Sequence, residues 1–163
     1  MFTINVRSDL PDVHRLLRKL EPGRLDAALK NIGEEGLGLA RESFQKSVEP
    51  DGKTKWKPLE EATLKSFVGV GGLPGRRRRD SYGKRPLVRT ETLMNSLNWQ
   101  LRGAGAVAIG ASAAYAVYHQ GDPDHQDKGL VPRRRFLPER GDLPDRWRNA
   151  VLEAVEDFLA EEG

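Results

Sequence analysis

The sequence predicts an α+β fold: a small antiparallel sheet flanked by helices, with a long flexible Arg-rich loop and a C-terminal helix. Three observations lead there. Two-residue alternation opens the chain and returns near residues 97–110 as a hairpin. Apolar residues at helical spacing occupy 24–47 and 144–161. Residues 68–86, rich in Gly and Arg, carry no period and mark the loop.

In chain order, "MFTINVR" alternates Phe2, Ile4 and Val6, the period of a half-buried strand. Asp9 precedes a helix start with Pro11 in its first turn, and Leu16, Leu17 and Leu20 supply its apolar face. "EPG" at 21–23 breaks that helix. The longest helix follows at about 24–47, with Leu25, Leu29, Ile32, Leu39, Ala40 and Phe44 on one side. Gly33, Gly36 and Gly38 each cost it about 1 kcal/mol of propensity relative to Ala. They predict a close approach of another backbone, or a kink. Pro50-Asp51-Gly52 is a turn, and Pro58 opens a short helix over 58–67 with Leu59, Ala62 and Phe67 inward.

"VGVGGLPGRRRRDSYGKRP" has no period, so 68–86 is expected to be a flexible basic loop. A short helix at 90–95 leads into "SLNWQLR", where Leu97, Trp99 and Leu101 alternate. "GAG" turns the chain and "AVAIG" pairs back. "ASAAYAVYHQ" suits a short helix or an extended arm. Residues 121–131 form a surface loop. From Pro144 a last helix carries Trp147, Val151, Val155, Phe158 and Leu159 as its stripe. At 163 residues all of this is expected to form a single domain, 1–163.

Composition narrows the chemistry. There is no cysteine, which excludes disulfides and thiolate metal sites. The opening stretch lacks the apolar run of a signal peptide, and no run approaches the roughly 18 residues of a membrane span. The expectation is a soluble chain made in a cytoplasm. Hydrophobic residues are 37% of the chain, with 17 Gly and 10 Pro, so a small core with much loop points to oligomerisation.

Four chemical readings bear on these residues. "GVGGLPG" at 69–75 lacks the strand before it and the helix after it that a phosphate cradle needs. His119, Asp122, Asp124, His125 and Asp127 have metal-ligand chemistry, but His119 and His125 lie six apart in a Gly- and Pro-containing loop that aligns no face. No serine sits in a nucleophile elbow, and no acid pair marks a cleft. The strongest charge signal is 76–85, where Arg76, Arg77, Arg78, Arg79, Lys84 and Arg85 meet one acid, Asp80. These six are candidate contacts for DNA or a protein partner, with Tyr82 alone available for stacking. The end from Asp142 onward holds seven acids against Arg146 and Arg148. A basic loop and an acidic end suit a ring in which one subunit's loop meets a neighbour's tail or DNA; the alternative is two solvated patches.

Four motifs, in order, carry a resemblance. "FQKSVEPDGKTKWKPL", "LVRTETLMNSL", "YAVYHQG" and "VPRRRFL" together resemble the phage virion morphogenesis family, the tail completion and neck proteins of Mu-like and related tailed phages. The match extends over most of residues 24–138. Its structural or interface positions are Phe44, Gly52, Trp56, Pro58, Leu59, Thr90, Leu93, Ser96, Tyr115, His119, Gln120, Pro132, Arg134, Phe136 and Leu137. Glu91 departs from it, standing where the family often has Gly. The Arg-rich loop and "DPDHQDK" look like local expansions. The resemblance implies an α+β fold and a tail-completion or tail-terminator protein without catalysis or cofactor. It implies a homo-oligomeric ring at the head–tail junction, with a hexamer as one candidate, contacting tail-tube and head-connector proteins. Genomic DNA would pass through the lumen, and no membrane is involved. The protein would reside in the virion neck, after assembly in the host cytoplasm. It also implies that His119 and Gln120 close a helix, and that Phe136 and Leu137 anchor the chain after the loop. The alternative reading is a non-catalytic nucleic-acid-binding module using 76–85.

Overall fold

A computed structural model describes residues 2–61, 86–87, 91–103, 105–121, 132–139 and 141–161. The elements are β1 (Phe2–Asn5), α1 (Val6–Asp9), α2 (Pro11–Leu17), α3 (Pro22–Lys46), α4 (Thr92–Asn95), β2 (Leu97–Leu101), β3 (Ala106–Ala111), α5 (Ala116–Gln120) and α6 (Asp145–Glu161). The α+β class is as the sequence predicts.

The sheet is antiparallel with order β1-β3-β2. Its register sets Phe2 and Trp99 beside Ile109, and Ile4 and Leu101 beside Val107. Because strand side chains alternate, these residues share one face. The long helix α3 packs against that face, and α6 packs along α3. Trp147 of α6 is fully buried, edge-on to Phe2 at 6.1 Å, with its Nε1 donating to the Pro50 carbonyl at 3.2 Å. The opposite face is polar or small: Thr3, Asn5, Asn98 and Gln100 are exposed there.

The glycines of α3 accommodate side chains, not another backbone, and the helix runs unbroken for 25 residues. A Cβ on Gly33 would enter the Trp99 ring, and one on Gly36 would meet the end of Ile109, whereas Gly38 faces open space. Trp99 completes its fit by donating Nε1–H to Glu34 at 2.8 Å.

Several boundaries differ from the sequence expectation. The alternation through Val6 does not extend the first strand. Asn5 accepts from the Arg7 N–H at 3.1 Å, and Asp9 accepts from the Asn5 N–H at 2.8 Å. This reciprocal cap starts α1 at Val6, whose side chain is still buried. In α2 the buried residues are Val13 and Leu17, preceded by buried Leu10, while Leu16 is 37% exposed. "EPG" does not break a helix. Leu17 already ends α2, and Pro22 sits in the first turn of α3, where its missing N–H costs nothing.

The expected helix 58–67 is absent over Pro58–Glu60. Only Glu61 is helical among its described residues. Pro58 biases Lys57 toward extended backbone. The Lys57 and Pro58 carbonyls are taken by Arg134. The rest of that helix, the basic loop apart from Pro86, and loop 122–131 lie outside the described residues. Among the described residues no helix is long and apolar enough to cross a membrane.

Candidate functional site

The motif residues converge where α3 ends. Ser47, with φ 53, terminates α3, and the chain reverses in a small hairpin. Val48 pairs with Lys55, the Glu49 N–H donates to the Thr54 carbonyl at 2.7 Å, and Trp56 N–H to the Ser47 carbonyl at 2.9 Å. Asp51 accepts from the Lys53 and Thr54 N–H groups at 2.8 and 2.9 Å and from the Thr54 hydroxyl at 2.5 Å. Burial alone would raise the Asp51 pKa, but the Thr54 and Lys53 donors outweigh it and hold the carboxyl below its ordinary value. Gly52, at φ 74, takes the turn position, and Arg146 crosses it closely enough that a Cβ would lie 2.9 Å from Cδ.

This hairpin sets Trp56 against Phe44, edge-on at 5.4 Å, and Phe44 also meets Phe136 at 5.1 Å. All three rings are buried. Burying side chains of this size contributes about 1.5–3 kcal/mol each. The polar edges are all met from distant parts of the chain. Trp56 donates Nε1–H to the Arg135 carbonyl at 2.7 Å. Gln120, the last residue of α5, accepts from the Phe136 and Leu137 N–H groups at 3.3 and 3.2 Å and donates back to the Leu137 carbonyl. Its amide thus acts as a strand partner for residues 136–137.

Arg134 is the central cation, 5% exposed. Its N–H donates to the His119 carbonyl at 2.9 Å, and its guanidinium to the carbonyls of Lys57 at 2.9 Å and Pro58 at 3.3 Å. Burial lowers its pKa, yet a guanidinium stays protonated. The carbonyls therefore hold a charge that would be costly to bury alone. His119 lies beside it. Burial first, and the Arg134 charge second, lower the His119 pKa, while a hydrogen bond to the Pro132 carbonyl acts the other way. Its Nδ1 is buried without a hydrogen-bond partner among the described residues. Flanking ion pairs join Arg135 to Glu49 at 2.6 Å and to Glu139 at 3.0 Å, and Arg133 to Glu139. The "VPRRRFL" stretch is thus a clamp within the chain, and its arginines at 133–135 are all engaged.

Of the other motif residues, Leu93 is buried and Ser96 ends α4, its hydroxyl donating to the Leu93 carbonyl at 2.7 Å. Tyr115 is 42% exposed, edge-on to His119 at 6.3 Å. Pro58 is exposed and Leu59 half-buried. Thr90 and the candidate contacts Arg76, Arg77, Arg78, Arg79, Lys84 and Arg85 lie outside the described residues, as do Asp122, Asp124, His125 and Asp127. Glu91, where the family pattern has Gly, adopts φ 55 and ψ 2, a left-handed conformation that glycine enters most easily.

Sequence reasoning missed Arg148, whose guanidinium binds the Asp9 carbonyl at 2.6 Å and the Leu143 carbonyl at 2.9 Å, and Glu42, which receives Arg146 and Lys46. Nothing in the local sequence signals the Arg148–Asp9 and Arg146–Glu42 contacts, which join residues 139 and 104 positions apart. A cleft of about 140 Å³ is lined by Glu49, Asp51, Glu139 and Asp142 with Arg135. Three of these four carboxylates already hold the partners named above. No group of three or more His, Asp or Glu side chains among the described residues could hold a metal ion. No family model, curated protein or solved structure matches this chain.

Proposed function

We propose that this chain is a structural virion assembly protein of a tailed phage: a tail-completion or tail-terminator protein that forms a ring at the head–tail junction. The observation that carries this reading is the convergence of three motif stretches, distant in sequence, on one buried knot. Phe44, Trp56, Gln120, Arg134, Phe136 and Leu137 all contribute to it. The left-handed Glu91 adds a second support, since it occupies the family's glycine position with a glycine-like backbone. In this reading the knot holds the framework on which subunit contacts are built, and no step of chemistry is assigned to it. The partners are further copies of the chain, tail-tube and head-connector proteins, and the DNA that crosses the lumen.

The test is size and shape with and without DNA. Light scattering and negative-stain microscopy of the purified chain are expected to show closed rings in the absence of DNA. A chain that stays monomeric alone and enlarges only on DNA would instead be the nucleic-acid-binding module.

A further inference from the structure

We infer that copies of this chain join head to tail through two preformed charged faces: the lysine ridge Lys53, Lys55 and Lys57 of one copy, and the outer face of α6 of the next. The inference rests on the ring reading above and names its interface.

The ridge is rigid before any partner arrives. Lys53, Lys55 and Lys57 are exposed at alternate positions of the hairpin, and the residues between them are tied down. Asp51 holds Thr54, Arg135 takes the Trp56 indole, and Arg134 takes the Lys57 carbonyl. Little backbone freedom is left to lose on association. Among the described residues only weak internal partners compete for the ammonium groups. Lys57 meets the exposed Glu60 at 3.7 Å, and Asp51 lies near Lys53.

The face of α6 is its counterpart. Trp147, Val151 and Val155 bury one side, and the other exposes Glu153, Glu156, Asp157 and Glu161. None of these four has an ion-pair partner among the described residues. The arrangement is unfavourable within the helix. Like charges stand three and four residues apart, and they crowd the C-terminal half, where the helix dipole disfavours anions. The last turn has no basic residue, whereas α3 ends on Lys46. A cationic partner from outside would relieve both costs.

The spacings match. Glu153, Asp157 and Glu161 rise about 6 Å per step along a helix. Lys55 and Lys57, past the turn, advance about 6.6 Å as alternate residues of an extended chain, while Lys53 sits in the turn that Asp51 closes; flexible lysine stems absorb the difference. Two different patches on one chain make a heterologous contact, the kind that generates rings when the rotation closes. An acidic helix face repels nucleic acid, so the occupant of both faces is a second copy.

Sedimentation of the full chain at low and high salt tests this with three variants: Glu153→Lys/Asp157→Lys/Glu161→Lys, Lys53→Glu/Lys55→Glu/Lys57→Glu, and both sets combined. The wild type should assemble at low salt and weaken as salt rises. Each single-face reversal should weaken assembly roughly tenfold or more. The combined variant, and an equal mixture of the two reversed chains, should recover it. Circular dichroism checks folding, and neutral Gln replacements carry the same comparison if a reversal unfolds. A wild type that stays monomeric overturns this interface together with the ring reading. A wild type that assembles while the reversals assemble equally well, or that is weakened by them without recovery in the combination, overturns the interface and leaves the ring. Assembly only on added double-stranded DNA, lost in the lysine variant and kept in the α6 variant, gives the ridge to phosphate and also overturns it.

Discussion

The α3–sheet layer and the aromatic knot are both buried, but they are held in different ways. Between α3 and the sheet, packing is apolar and repetitive: Leu29, Ile32, Ala40, Ile4, Val107 and Ile109 are all buried, with glycines relieving crowding. In the knot, three rings are surrounded by side chains that satisfy backbone groups 16 to 79 residues away. Apolar layers fail gradually, because a lost methylene costs its transfer energy and a small cavity. A knot of side chain-to-backbone bonds fails abruptly, because removing one partner strands a buried polar group.

The largest effect should come from Phe136→Ala. It removes the ring that meets Phe44, and a core Phe truncation costs about 3–5 kcal/mol. Thermal unfolding should shift down by many degrees. An unchanged melting temperature would show that the knot does not support the fold. Next, Arg134→Met keeps most of the volume but removes the donors to the part-buried Lys57 and Pro58 carbonyls, at about 0.5–1.5 kcal/mol for each lost hydrogen bond. If this variant matched the wild type in chemical denaturation, the comparison between the two regions would lose its basis.

In the α3 layer, the glycines give a paired test. Gly33→Ala must displace the Trp99 ring and should cost about 1–3 kcal/mol through overpacking, partly offset by helix propensity. Gly38→Ala meets nothing and should gain up to about 1 kcal/mol. Equal effects at both positions would mean that Trp99 does not press on α3.

The smallest effect is the pH response of the knot. The folded state lowers the His119 pKa from its ordinary 6.5, so the unfolded chain binds the proton first as pH falls. His119 therefore contributes no penalty above that value. It costs stability progressively as pH drops below 6.5, and levels off beneath the lowered folded pKa. Melting temperatures of wild type and His119→Gln between about pH 8 and pH 5 should show the variant losing less on acidification. Parallel curves would place the acid sensitivity elsewhere.

Much of the fold could be read from the sequence alone. The hairpin, α3 and α6 announce themselves because strand and helix periods recur over enough residues to exceed noise. Phe136 and Leu137 also read as anchors, since an apolar pair after a polar loop has few places to go. The first strand's end did not, because Asn5 and Asp9 cap a helix at a residue whose burial fits either element. The helix over 58–67 misled for a related reason. Pro58 permits a helix start, and only Arg134, 76 residues later in the chain, holds its carbonyl in another arrangement.

The sequence by itself therefore determined the types of the hairpin, α3 and α6, their apolar faces and the order of motifs, all of which depend on neighbours within a few residues. Only the tertiary structure decided that Gln120 serves as a strand partner, that Arg134 is a buried clamp, and that Glu91 turns left-handed. Each depends on groups brought together across long loops, and local spacing carries no record of which distant carbonyl a side chain will meet. For the same reason the acids of α6 read as a polar face in sequence. Their lack of cationic partners among the described residues became visible only when the helix was set in the fold.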